Sequence, residues 1–219
     1  MSKLIKGIIT LVLYFLYPFF LGYVLPSSMN STSTDLIIRG ICDVIFISIF
    51  VVLYKDELKK EFRTFKRKPF KTVGISLLYL LLAIILMAVS VGVVNMITNG
   101  YEPHSQLGIN ELWPKSPLYA VWLTFIVSPF TDEIAFRKTF KDIISNKIMY
   151  VVLSSLTYGF YMIGYYASSF NDVLCIIPYA LFGVAISLSY LKTKSIVSPI
   201  LIRILYSGWM LLGVILGQV

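Results

Sequence analysis

Residues 72–98 read TVGISLLYLLLAIILMAVSVGVVNMIT, an apolar run without one charged side chain. A helix rises about 1.5 Å per residue, so this stretch can cross a hydrocarbon core about 30 Å thick. Lipid offers backbone groups no partners, which leaves only helices or a closed barrel. The run shows no strict alternation, so it reads as a helix. Six more runs accompany it: about Leu4–Leu25, Leu36–Tyr54, Pro117–Phe130, Met149–Ala167, Asp172–Leu191 and Ser195–Val219. Composition agrees, with 58% hydrophobic residues, 14% charged and a mean hydropathy of +0.82. Soluble domains average about 45–50% apolar and about 25% charged. The expected fold is therefore an all-α polytopic membrane protein, a single integral domain over residues 1–219 with about seven transmembrane helices. The first run follows Lys3 and Lys6 as a signal peptide would. It is too long for an apolar signal core and no small-residue cleavage site follows, so it reads as a retained span kinked at Pro18. The fourth run is expected to pass a break at Pro129 into a polar helical extension, about Thr131–Ser145.

Charge sets the expected orientation. With a cytoplasmic N-terminus, the inner segments carry Lys3, Lys6, the Lys55–Lys71 block, Arg137, Lys138, Lys141, Lys147, Lys192 and Lys194. That is 16 of the 19 basic residues, on the side the positive-inside rule names cytoplasmic. The outer loops keep Lys115 beside Asp35, Glu102, Glu111 and Asp172. Short loops and a basic inner face point to a bacterial cell membrane. Between the second and third spans, KDELKKEFRTFKRKPFK interleaves bases with Leu58, Phe62 and Phe65. Helical spacing puts those three on one face of a short interfacial helix, its basic face toward anionic headgroups. Topology anchoring explains the cluster; lipid-specific binding is the sharper alternative, and nucleic acid is not expected as a partner.

Ionisable residues at membrane depth carry the functional information, because they are costly there and usually face a bundle interior. Arg39 and Asp43 lie four apart and can neutralise each other, as a structural couple or as part of a transport relay. Glu133 and Arg137 are spaced the same way, acid first. Asp132 points about 100° away from Glu133 and is free to face the bundle. Cys42 and Cys175 lie in apolar runs and His104 is the single histidine, so neither a disulfide framework nor a metal centre is expected, and no cofactor.

At Asp132-Glu133-Ile-Ala-Phe-Arg137 the chain resembles the CPBP (CAAX protease and bacteriocin-processing, or Abi) group, which includes type II CAAX prenyl endopeptidases and bacteriocin self-immunity proteins. Its first motif is Glu-Glu-x-x-x-Arg. Its second is Phe-x-x-x-His after small residues, a frame filled here from Ser154 to Met162, with Tyr158 at the aromatic position and Met162 where histidine is expected. Its third is His-x-x-x-Asn or His-x-x-x-Asp after Ser-Ile-x-x-Pro-Ile. From Ser195, that frame places Arg203 at the histidine and Ser207 at the asparagine. The resemblance covers about Pro117 to Gly213 and implies a CPBP-like helical bundle.

The resemblance also implies that active relatives activate a water with the first glutamate and the motif-two histidine, while the motif-three pair stabilises the oxyanion. Here Asp132 is one methylene short, Met162 cannot transfer a proton, Arg203 stays protonated and Ser207 reaches less far. Each lost catalytic group costs about two to four decades in rate. His104 lies in the outer loop, roughly 15–20 Å away in depth by helix rise. The motif-one positions Asp132, Glu133 and Arg137 then read as vestigial. Arg203, about two turns inside the last span, needs an anion. An ion pair with Asp132 would latch the fourth span to the seventh; snorkelling to the interface is the alternative.

Softer features remain. Tyr158, Phe160, Tyr161, Tyr165 and Tyr166 can line a groove or anchor the fifth span; Gly213 and Gly217 can mark a close helix contact; the outer loop Asn99–Ser116 can dock a partner. The expected role is a non-catalytic pseudoenzyme that binds or regulates another membrane or cell-envelope protein, of self-immunity type among others. An intramembrane endopeptidase with an altered site is the alternative, and a small transporter the third class, although the paired half-spans of common transporters are missing.

Overall fold

The computed structural model describes residues 2–24, 33–101, 116–164, 167 and 169–216. Every regular element among them is helical: α1 (Lys3–Val24), α2 (Ser33–Leu53), α3 (Lys55–Arg67) and α4 (Pro69–Thr98), then α5 (Pro117–Trp122), α6 (Ser128–Glu133), α7 (Phe140–Ile143), α8 (Lys147–Gly164), α9 (Phe170–Leu174), α10 (Ile176–Thr193) and α11 (Val197–Ile215). His104, Tyr165, Tyr166, Gly217 and most of the expected docking loop lie outside the described residues.

Four helical stretches are long and apolar enough to cross a bilayer: Lys3–Tyr23, Asp35–Leu53, Pro69–Thr98 and Phe170–Thr193. Lys147–Ile163 and Val197–Gly213 are shorter apolar helices. The expected fourth span, Pro117–Phe130, is not a plain helix. It runs from α5 through a π-helical segment, Leu123–Val127, into α6, then a second, Ile134–Thr139, and α7. The chain does not break at Pro129. An α-helical proline clashes with the carbonyl four residues back, here Phe125, and the wider π turn holds that residue. Pro18 likewise lies inside a continuous α1.

α10 is the centre. In its stretch 61% of the most apolar window is buried, against 17% in each of the other three. It packs against α8 and α4, and glycines let the backbones close in. A Cβ on Gly159 would lie 2.9 Å from the Ile176 carbonyl oxygen, and one on Gly183 would lie 3.1 Å from Ser155 Cα. The outer helices expose large apolar side chains such as Leu16, Phe20, Ile45 and Leu78. An aqueous protein would hide these, whereas lipid accepts them. This is a multi-pass membrane architecture.

At the basic end, α3 does not dock as its pattern suggests. Leu58 packs into the core, but Phe62 is exposed. Acids claim the inner face instead. Glu57 meets Lys6 of α1 at 2.5 Å. Glu61 accepts from Tyr190 Oη and from the Ile196 backbone N–H, both at 2.8 Å, and lies 3.3 Å from Lys138. A carboxylate at Ile196 also favours the start of α11, where unpaired N–H groups and the helix dipole attract negative charge.

Candidate functional site

The sequence motifs meet inside the bundle. Asp132 and Glu133 end α6, Arg137 sits in the second π segment, Ser154 and Tyr158 are on α8, Arg203 is on α11 and Tyr14 comes in from α1. Asp132, Glu133, Arg137 and Arg203 are all buried. Arg203 Nη2 donates to Asp132 Oδ2 at 2.6 Å, and its Nη1 donates to Tyr158 Oη at 2.5 Å. Tyr14 Oη donates to the other carboxylate oxygen, Asp132 Oδ1, at 2.6 Å. Arg137 Nε donates to Glu133 Oε2 at 3.1 Å, and Arg203 Nε stands 3.8 Å from Glu133 Oε1. Snorkelling of Arg203 is thereby ruled out.

Two carboxylates and two guanidiniums make a cluster that is neutral as a whole, the arrangement that reduces the cost of burying charge. The Tyr158 ring lies between the guanidinium carbons, 5.1 Å from that of Arg137 and 5.3 Å from that of Arg203. Its π faces add attraction for both cations. Arg137 is pinned further by its 2.7 Å donation to Ser154 Oγ, which in turn donates to the Phe136 carbonyl at 2.6 Å. The i,i+4 spacing of Glu133 and Arg137 is thus realised, and Asp132 points to different neighbours, as the 100° offset requires.

The other motif positions stay outside this network. Met162 packs among the apolar residues of the core, and Ser207 is only half-buried and takes no hydrogen bond from the cluster. Arg39 and Asp43 do not form one of the described ion pairs. Asp43 instead accepts from Tyr17 at 2.6 Å, Tyr119 at 3.1 Å and Trp122 at 3.2 Å. Three short-range donors from other helices satisfy the carboxylate in place of the arginine on its own helix. Among the described residues, no three metal-ligating side chains converge.

Tyr14 and Ser154 complete the cluster without having been singled out as site residues. Ser154 stood only as a small residue in a motif frame, and Tyr14 is one hydroxyl in a long apolar run. Nothing in their spacing marks them.

Residues 114–209 match the family model described as type II CAAX prenyl endopeptidase Rce1-like. The segment is similar to that family. The match contains all three motif frames and every member of the cluster except Tyr14, which α1 supplies from outside it. No curated protein and no solved structure matches the chain. In the matched segment, an arginine from the motif-three position is bound directly to the first of the motif-one acids.

Proposed function

We propose that this chain is a non-catalytic Rce1-like membrane protein, a partner-binding or regulatory subunit of cell-envelope or bacteriocin-immunity type. It resides in a bacterial cell membrane with its N-terminus cytoplasmic. One observation carries the reading: both oxygens of Asp132 are occupied, Oδ1 by the Tyr14 hydroxyl and Oδ2 by the Arg203 guanidinium, at 2.6 Å each. A general base must also be positioned on the proton it abstracts, and these two short hydrogen bonds orient the carboxylate toward Tyr14 and Arg203 instead. Arg203 fills the place of a group that would shuttle protons, and it never gives one up. The cluster then serves as a fixed electrostatic joint between α6 and α11 that holds the surrounding surface in one shape for a partner.

The match to an endopeptidase family supports the rival, an altered intramembrane endopeptidase acting on prenylated CAAX-type peptides. One experiment separates them. The purified chain is incubated with a prenylated CAAX peptide, and in parallel is affinity-purified from native membranes. The proposal expects no cleavage above background and a membrane protein retained equally by wild type and Asp132→Asn. Cleavage that disappears in Asp132→Asn establishes the endopeptidase instead.

A further inference from the structure

At the basic end of the bundle, away from the buried cluster, a pocket of about 310 Å³ opens between the end of α3, the start of α4 and the end of α10. Its polar lining is Arg67, Lys68, Lys71, Thr72, Lys192 and Thr193, with Thr64 and Ile75 completing the wall. We propose that this pocket binds the phosphate-bearing headgroup of an anionic phospholipid.

Four cations and no acid face one small space. Among the described ion pairs, none involves Arg67, Lys68, Lys71 or Lys192. The two acids of α3 that could have neutralised them are committed elsewhere, Glu57 to Lys6 and Glu61 to Lys138 and Ile196. All four are exposed, and their summed positive charge attracts an anion to the space they line. The Thr64, Thr72 and Thr193 hydroxyls donate to backbone carbonyls, so the donors come from the cations and from α4, which begins at Pro69 and leaves the first-turn N–H groups of Phe70 and Lys71 without an intrahelical acceptor. A long helix starting at a basic pocket contributes the positive end of its dipole as well. The volume is within the range of small-molecule pockets, about 300–1,000 Å³.

The shared chemistry is a phosphoryl group, and the surroundings select its source. Lys71, Ile75 and Leu78 follow one another on one face of α4, and Leu78 is 64% exposed. Leu77 and Leu81 continue the apolar surface, and Phe70, next to Lys71 in the chain, is 91% exposed. A soluble phosphate has no use for an apolar wall running down a span. A phospholipid headgroup held by the cations has its acyl chains directed along that wall.

Native mass spectrometry of the full chain, titrated separately with phosphatidylglycerol and phosphatidylcholine, tests the assignment. Wild type is expected to prefer the anionic lipid. The triple variant Lys68→Gln/Lys71→Gln/Lys192→Gln is expected to lose on the order of a hundredfold in that affinity, from three headgroup-facing charges. Lys59→Gln/Lys60→Gln, on α3 and outside the pocket, should lose far less. Lys192→Gln alone gives a milder variant that tests the pocket if the triple variant is unstable, and a photoactivatable phosphatidylglycerol should crosslink to pocket residues of the unmutated chain. Equal losses in pocket and control variants, no preference between the lipids, or displacement of phosphatidylglycerol by inorganic phosphate at similar affinity would each overturn the assignment.

Discussion

Asp132 with Arg203 and Glu57 with Lys6 both join helices by opposite charges, at 2.6 and 2.5 Å, yet they live in different solvents. The first pair is 7–8% exposed and surrounded by Tyr14, Tyr158 and a second ion pair. The second lies at the basic end of the bundle, with 13% of the Lys6 side chain and 27% of the Glu57 side chain exposed. Distance alone would rank them equal. Burial separates them, because a charge orphaned in the interior has no water to fall back on, whereas one at the interface does.

Breaking the buried pair should therefore give the largest effect. Arg203→Ala is expected to cost about 3–5 kcal/mol, read as a fall in thermal midpoint in detergent. It leaves Asp132 and Glu133 to share Arg137 alone. Asp132→Ala should cost less, because Arg203 retains Glu133 at 3.8 Å. The double variant should recover part of the summed loss; strictly additive losses would show that the pair is no latch. Tyr14→Phe comes next, with about 1.5–3 kcal/mol lost for a hydrogen bond to a charged group. A negligible change would mean that α1 adds nothing to the cluster.

The interfacial pair should barely register: Lys6→Ala is expected to cost about 0–1 kcal/mol. A loss as large as that of Arg203→Ala would erase the distinction between the two regions. The smallest effects are those of pH. Burial pushes Glu57 up, but the Lys6 hydrogen bond, its own backbone and nearby positive charge outweigh it, so its pKa falls below the ordinary glutamate value. The folded chain then binds fewer protons there, and Glu57 stabilises above the ordinary value and loses that contribution as pH falls through its own. Glu61 goes the other way, because burial outweighs Lys138, Tyr190 and the Ile196 N–H. Its contribution falls as pH rises from the ordinary glutamate value through the raised one. Thermal midpoints across the acid range should flatten below the ordinary value in Glu57→Gln and above it in Glu61→Gln; an unchanged profile in both removes the electrostatic account of α3 docking.

Part of this was legible in the sequence. An arginine two turns inside an apolar span must find an anion, and only Asp132 and Glu133 were on offer at that depth, so the Asp132–Arg203 pair followed from cost alone. The Glu133–Arg137 pair followed from helical spacing. The same spacing misled at Arg39 and Asp43, because Tyr17, Tyr119 and Trp122 reach Asp43 from helices that spacing does not see. The spacing put Phe62 on one face with Leu58 and Phe65, but Phe62 is exposed while Glu57 and Glu61 found partners on the inner side. In a membrane, an apolar side chain gains little by turning inward, so polar pairing decides how a helix is rolled. Tyr14 was invisible for the related reason that hydropathy does not report which hydroxyl turns toward a carboxylate.

The two π segments bracket Asp132 and Glu133, and each widened turn accommodates a residue that an α-helix would have to phase elsewhere. Removing one residue from Leu123–Val127 would let that turn relax to ordinary winding while the turns on either side keep their phase. Trp122 and Tyr119 would then stay on Asp43 and Arg203 on Asp132, whereas the same deletion from a plain α-helical turn would swing one side about 100° against the other. The fold thus places its tolerance for a one-residue deletion beside the residues it holds most tightly.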